Sequence, residues 1–149
     1  MPVGELCIRQ VVFAPRKASV LEAAKLMRQY HVGDIVITDD IDGRRVPVGI
    51  VTDRDIVLEV LAQELDATEL SVGDIMAGDL ITVRENEGVF QTIQLMRAKG
   101  ARRAPVVNGD GTLVGIVSVD DLVELLAEEL GELAKLISRE QKREAELRR

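Results

Sequence analysis

Gly49-Ile-Val-Thr-Asp-Arg-Asp55 and Gly115-Ile-Val-Ser-Val-Asp-Asp121 are two versions of one phrase. In each, a glycine opens a short apolar run, a hydroxyl residue ends it, and an aspartate stands three places further on. A short apolar run reads as a buried strand. A Ser or Thr followed three residues later by an acid reads as a helix start, because the hydroxyl and the carboxylate each satisfy an orphan backbone amide of the first turn. The phrase is therefore a strand handing over to a helix, written twice. The same box stands at Ser19–Glu22 and Ser71–Asp74 without the preceding glycine, so capping alone explains the pair Ser/Thr…Asp but not its setting.

Working outward, the stretch from Ser19 to Arg28 lies over that from Gly88 to Arg97, sharing Val20/Val89 and the ending Leu-Met-Arg. Pro47-Val-Gly-Ile-Val-Thr52 lies over Leu113-Val-Gly-Ile-Val-Ser118, and Cys7-Ile-Arg-Gln-Val-Val12 over Met76-Ala-Gly-Asp-Leu-Ile81. The difference in length falls in two polar, Gly-containing turns at 39–45 and 108–112, where length is free to vary. The chain is an internal duplication.

Each copy reads alike. Extended segments at 11–13 and 81–83 lead to helices with apolar residues at helical spacing: Val20, Ala23, Ala24 and Met27, then Val89, Ile93 and Met96. Strands follow at 34–38 and 46–51, and at 104–107 and 113–117, with a second helix from Thr52 or Ser118. The fold class is α/β (α+β), as two β-α-β-β-α repeats at 1–66 and 67–128 plus a charged helical tail at 129–149. A unit of roughly 60 residues buries too little surface to stand alone. The two copies are therefore expected to pack sheet to sheet as a pseudo-two-fold pair, with a cleft on each side.

Composition narrows the function. The chain has 149 residues, 46% hydrophobic and 30% charged, with a net charge of −7 and only 2% aromatics. The acidic balance argues against coating nucleic acid, and the scarcity of aromatics removes a base-stacking platform. One cysteine (Cys7) and one histidine (His31) make neither an internal disulfide nor a zinc site of the usual kind. They lie far apart in sequence without an orienting group, so no catalytic residue and no metal ligand is assigned and an enzyme is not expected. Met1-Pro2-Val3-Gly4-Glu5 carries no signal-peptide pattern and no apolar run approaches membrane-spanning length, which sets a cytoplasmic, reducing location and no membrane partner as the expectation. Cys7 reads as a small buried hydrophobe, His31 as a helix C-cap or surface residue, and Met27, Met76 and Met96 as core fillers.

A glycine in an apolar strand admits a ligand or another backbone closely, and a helix N-terminus favours anions. A carboxylate there can accept two hydrogen bonds, as a ribose diol would offer. The paired Gly-Ile-Val-Ser/Thr-x-x-Asp motifs, the strand Ala104-Pro-Val-Val-Asn108 and the duplicated element pattern resemble a tandem of cystathionine-β-synthase-type (CBS) domains, a Bateman module. Thr52-Asp-Arg-Asp-Ile56 is similar to the stand-alone two-CBS bacterial proteins. The resemblance covers residues 5–128 and implies a regulatory ligand containing adenosine: AMP above all, or ADP, ATP, NAD or S-adenosylmethionine, with no obligatory cofactor.

The resemblance also implies residues. The main site would use Ile116 against adenine, Asp121 on the ribose, Ser118, Arg102 and Arg103 near phosphate, and Gln10, Val12, Val32 and Gly33 from the first repeat. The second would use Ile50, Thr52, Arg54 and Asp55, with Asp79, Ile81 and Ala101 from the second repeat. Gly33 and Asp34 stand where the second repeat has Arg102 and Arg103. A carboxylate at 4 Å from a phosphate charge costs about 1 kcal/mol even in water, so the Ser118/Asp121 site is expected to be the better phosphate site. Val36 stands where the second repeat has Pro105, a mild departure from the family pattern.

Past Asp121 the final helix is expected to run on through Leu122, Leu125, Leu126, Leu130, Leu133, Leu136 and Ile137. Gly131 costs it about 1 kcal/mol relative to Ala without ending it. That stripe is either core packing or the seam of a homodimer. The expected mechanism is a ligand-driven shift between arrangements of the repeats, passed to the tail or to an unidentified protein partner. The competing reading is an interaction module without ligand, dimerising through the C-terminal helix.

Overall fold

A computed structural model describes residues 1–148. The first repeat carries β1 (Phe13–Pro15), α1 (Val20–Tyr30), β2 (Asp34–Ile41), β3 (Arg44–Thr52) and α2 (Asp53–Ile56), the last continuing as a π-helical turn over Val57–Leu61. After a short α3 (Val72–Ile75) the second repeat carries β4 (Val83–Arg84), α4 (Val89–Lys99), β5 (Arg103–Val107), β6 (Leu113–Ser118) and α5 (Val119–Leu147). The sheets have the same topology: β1-β2-β3 and β4-β5-β6, the first pair parallel and the second antiparallel in each. Each hairpin has a register shift at the equivalent place, Ile37/Thr38 and Val106/Val107.

The duplicated β-α-β-β-α order is present as expected. The first strands are displaced, however: pairing begins at Phe13 and Val83 rather than at residues 11 and 81. The preceding residues belong to no strand: Val11, Val12 and Ile81 line the clefts described below, although the Val12 carbonyl still accepts the Val36 amide. All four hydroxyl–acid boxes form, at Ser19/Glu22, Thr52/Asp55, Ser71/Asp74 and Ser118/Asp121. His31 is the C-cap of α1, at φ 54°, where its amide bonds the Met27 carbonyl. Met27 and Met96 are buried in the two cores, and Met76 packs against the first.

The lead-in segments cross over. Val3 and Cys7 pack with Val83, Val106 and Val117 in the core of the second repeat, whereas Val72 packs with Ile35, Ile37 and Val51 in the core of the first. Backbone bonds mirror this: Val3 and Gly4 amides reach the Glu87 and Glu85 carbonyls, and Val72 and Gly73 amides reach those of Ala18 and Arg16. Neither repeat's core is complete from its own chain segment, which ties the halves together without a covalent staple. Burial pushes the Cys7 thiol pKa up, keeping it in the neutral form suited to a core.

Side chains alternate across a strand, so Ile35 and Ile37 face the first core and Ala104 and Val106 the second. The opposite faces carry Asp34 and Val36 in β2, and Arg103 and Pro105 in β5. Val36 and Pro105 are fully buried there although they belong to neither core, which marks the face where the sheets meet. Among the described residues no helix is long and apolar enough to cross a membrane, and no group of His, Cys, Asp or Glu is arranged to hold a metal.

Candidate functional site

The two motif glycines lie under the crossing lead-ins. A Cβ on Gly115 would sit 2.6 Å from Cys7 Sγ and 3.0 Å from the Ile8 carbonyl oxygen, and one on Gly49 would sit 2.6 Å from Met76 Sδ. The close approach expected at these glycines is thus made by the other repeat's chain. Ile8 goes further, exchanging both backbone hydrogen bonds with Ile116 at 3.0 and 2.9 Å. That pairing holds the residues after Ile8 as one wall of a cleft whose other wall is the end of β6 and the start of α5.

A cavity of about 220 Å³ occupies this cleft, lined by Ile8, Gln10, Val11, Val12, Val32, Asp34, Arg103, Ile116, Ser118, Asp120 and Asp121. Five of these, Ile8, Gln10, Val11, Val12 and Val32, also line an adjoining groove of about 800 Å³ that continues past Phe13 and Tyr30. The Asp121 carboxylate accepts the Ser118 amide through Oδ2 at 3.3 Å, and the Asp121 amide donates to Ser118 Oγ at 3.2 Å. The cap therefore uses one carboxylate oxygen, and the other has no protein donor among the described residues. Of the residues expected here, Gln10, Val12, Val32, Arg103, Ile116, Ser118 and Asp121 come together. Gly33 and Arg102 do not line the cavity; Gly33 lies against the Asp53 carboxylate, and Arg102 is exposed, 3.9 Å from Asp120.

The second cleft is a cavity of about 100 Å³ lined by Ile50, Ala77, Asp79, Leu80, Ile81, Lys99, Ala101 and Arg103. Ile50, Asp79, Ile81 and Ala101 were expected there. Thr52, Asp55 and Arg54 are not brought to it: Asp55 Oδ2 accepts the Thr52 amide at 2.9 Å as a cap, and the Arg54 amide bonds Asp53.

Sequence reasoning missed Ile8, Val11, Asp34 and Asp120 in the first cleft and Ala77, Leu80, Lys99 and Arg103 in the second. Asp34 is the counterpart of Arg103 in the aligned repeats, and the structure makes them partners: Arg103 Nε is ion-paired with Asp34 Oδ2 across the dyad. Burial raises the Asp34 pKa, while Arg103 opposes that rise and Asp53 adds to it.

The CBS domain profile matches residues 3–62 and again residues 72–128. The chain belongs to the CBS domain family. The uncharacterized protein MK0525 of Methanopyrus kandleri is 37% identical over 123 residues, or 83% of this chain and 61% of its own length. The chain thus spans less than two thirds of that relative. Among solved structures, a CBS domain protein of Pyrobaculum aerophilum complexed with AMP matches at TM-score 0.71 and 32% identity, covering 81% of this chain and 89% of that one. The CBS domain pair of protein MJ0100, in complex with 5′-methylthioadenosine and S-adenosyl-L-methionine, matches at TM-score 0.74 and 28% identity, covering 87% and 98%.

Proposed function

We propose that this CBS pair is a non-catalytic regulatory module that takes an adenosine-containing small molecule into the Ser118/Asp121 cleft. The observation that carries this reading is the position of Asp121. Its carboxylate heads α5 with one oxygen outside its cap, and it lines a cavity walled by both repeats. Asp121 accepts the ribose hydroxyls, and Ile116, on the face where the sheets meet, packs against the base. Gln10, Val12 and Val32 close the opposite wall. Because the walls belong to different repeats, bound ligand favours the arrangement in which both touch it, and differential affinity is what moves such an equilibrium. The adenosine ligands of the two structural neighbours support the chemical class.

A thermal-shift panel of adenosine, AMP, ADP, ATP, NAD and S-adenosylmethionine tests it. A ligand at about 100 times its dissociation constant adds roughly 2.7 kcal/mol to the stability of the fold. The expected result is a higher melting temperature with at least one of them, and no shift with any of them removes the reading.

The partner of the tail is, in the same proposal, a second copy. Val119, Val123, Leu126, Leu130, Leu133 and Ile137 alternate spacings of four and three along α5. From Val123 onward the stripe is exposed, with Leu130 at 68% and Ile137 at 57%. In heptad terms Val123, Leu130 and Ile137 take the a positions and Leu126 and Leu133 the d positions between them, so two of three a positions are β-branched and both of those d positions are Leu, which suits a two-stranded seam. A chain ending at Glu128 is expected to scatter light as a monomer and the full chain as a dimer; equal masses would remove the seam.

A further inference from the structure

The Ser118/Asp121 cleft contains a built-in competitor for phosphate. Both arginines that family resemblance assigns to phosphate already face carboxylates: Arg103 pairs with Asp34, and Arg102 lies 3.9 Å from Asp120. Arg102 is 71% exposed and its pair is weak. The Arg103–Asp34 pair is different, with only 33% and 22% of the two side chains exposed. It sits on the inter-repeat face beside Val36 and Pro105, and both partners line the cavity. Arg103 is therefore the one cation lining this cavity among the described residues, against Asp34, Asp120 and Asp121.

Asp34 and Arg103 occupy equivalent places in the two repeats, paired in register with Thr52 and Ser118. Strict duplication would put two like charges face to face there. Divergence has made them opposite, and in doing so has placed a carboxylate where a ligand's phosphate would have to go. An anion entering the cleft must displace Asp34 from Arg103 and then lie beside the released carboxylate. An uncharged or cationic tail meets no such competition.

We infer that Asp34 is a specificity-determining residue that occupies Arg103 and selects, among adenosine derivatives, those with a neutral or cationic 5′ substituent over those with a phosphate. This rests on the adenosine reading of the cleft and names its ligand class more narrowly. It also inverts the expectation that the Ser118/Asp121 site is the better phosphate site.

Calorimetric titration with adenosine and with AMP, which share base and ribose, separates the two ideas. The full-length protein is expected to bind adenosine at least as tightly as AMP. Asp34→Asn keeps the side-chain shape, removes the charge and frees Arg103, and is expected to tighten AMP by about tenfold or more while changing adenosine by less than about twofold. Asp34→Glu, which can retain the pair, is expected to keep the parent preference. The double variant Asp34→Asn/Arg103→Met is expected to lose the gain, because Arg103 supplies it. Adenosine binding with AMP unmoved by Asp34→Asn, or with both ligands moved alike, overturns the role of Asp34 and leaves the adenosine cleft standing. Binding of neither ligand to any of these proteins overturns the inference, and the cleft reading falls with it when the whole thermal-shift panel is also silent.

Discussion

The two clefts descend from one duplicated motif, but only one brings its motif hydroxyl and carboxylate to a cavity wall. Thr52/Asp55 and Ser118/Asp121 form the same capping box, because a cap depends on four consecutive residues and nothing else. What faces the carboxylate depends on the other repeat. In the second cleft the lead-in passes over Gly49 with the bulky Met76, and in the first it passes over Gly115 with the small Cys7 and pairs its backbone at Ile8. The lesson is that a repeated local motif fixes local structure in both copies, whereas its use as a binding surface is decided by non-equivalent residues far away in sequence.

The largest expected difference between the clefts is in ligand response. Asp121→Ala should abolish the stabilisation conferred by an adenosine ligand, about 2.7 kcal/mol at 100 times its dissociation constant, whereas Asp55→Ala should leave it. Both should lose a similar amount of ligand-free stability, about 1 kcal/mol or less, from the broken box. Thermal melts with and without ligand check this, and equal loss of ligand response in both variants would erase the distinction.

A smaller contrast concerns the glycines. Gly115→Ala drives a methyl against Cys7 Sγ and the rigid Ile8 carbonyl, whereas Gly49→Ala meets the thioether and flexible side chain of Met76. Overpacking of this kind costs about 1–3 kcal/mol, and Gly115→Ala should lie toward the upper end with Gly49→Ala below it. Urea denaturation of the two variants gives the comparison directly.

The smallest effect is a pH dependence confined to the first cleft. Asp34 has a raised pKa in the fold, facing Arg103 from β5 and Asp53 from α2, with Asp120 and Asp121 of α5 lining the same cavity. Between its unfolded and folded pKa the native state holds the extra proton. The contribution of Asp34 to stability therefore falls as pH rises through that window, and is regained on acidification. Asp110 in the exposed turn has the opposite sign: the hydroxyl and amide of Thr112 lower its pKa, so its contribution is present above the ordinary aspartate value and lost as pH falls through the folded one. A carboxyl-carbon NMR titration should place Asp34 above Asp110, and the reverse order would refute the assignment.

Much of this architecture is legible in the sequence. Short apolar runs mark β2, β3, β5 and β6, and the hydroxyl–acid boxes mark four helix starts, because both signals are carried by neighbours in the chain. The exchange of Val3 and Val72 between cores is not legible in the same way: an apolar residue declares that it will be buried, not by what. For that reason the strands expected from 11 and 81 begin two residues late, with Val11, Val12 and Ile81 lining clefts instead. Asp34 and Arg103 were visible as counterparts, but their meeting depends on the dyad, and a pseudo-symmetry axis places in contact residues that a linear alignment only places in parallel.

α5 runs unbroken from Ser118, at the mouth of the cleft, through 29 residues. At 1.5 Å per residue it is a rod of about 40 Å anchored at one end. Leu122 is buried in the second core, while Leu130 and the residues beyond it stand in solvent. A tilt of about 10° at the anchored end would sweep the far end through roughly 7 Å, given that length. On the proposed reading, the rod that carries Asp121 at its anchored end would also be a lever, turning a sub-ångström adjustment around a sugar into a displacement the width of a side chain.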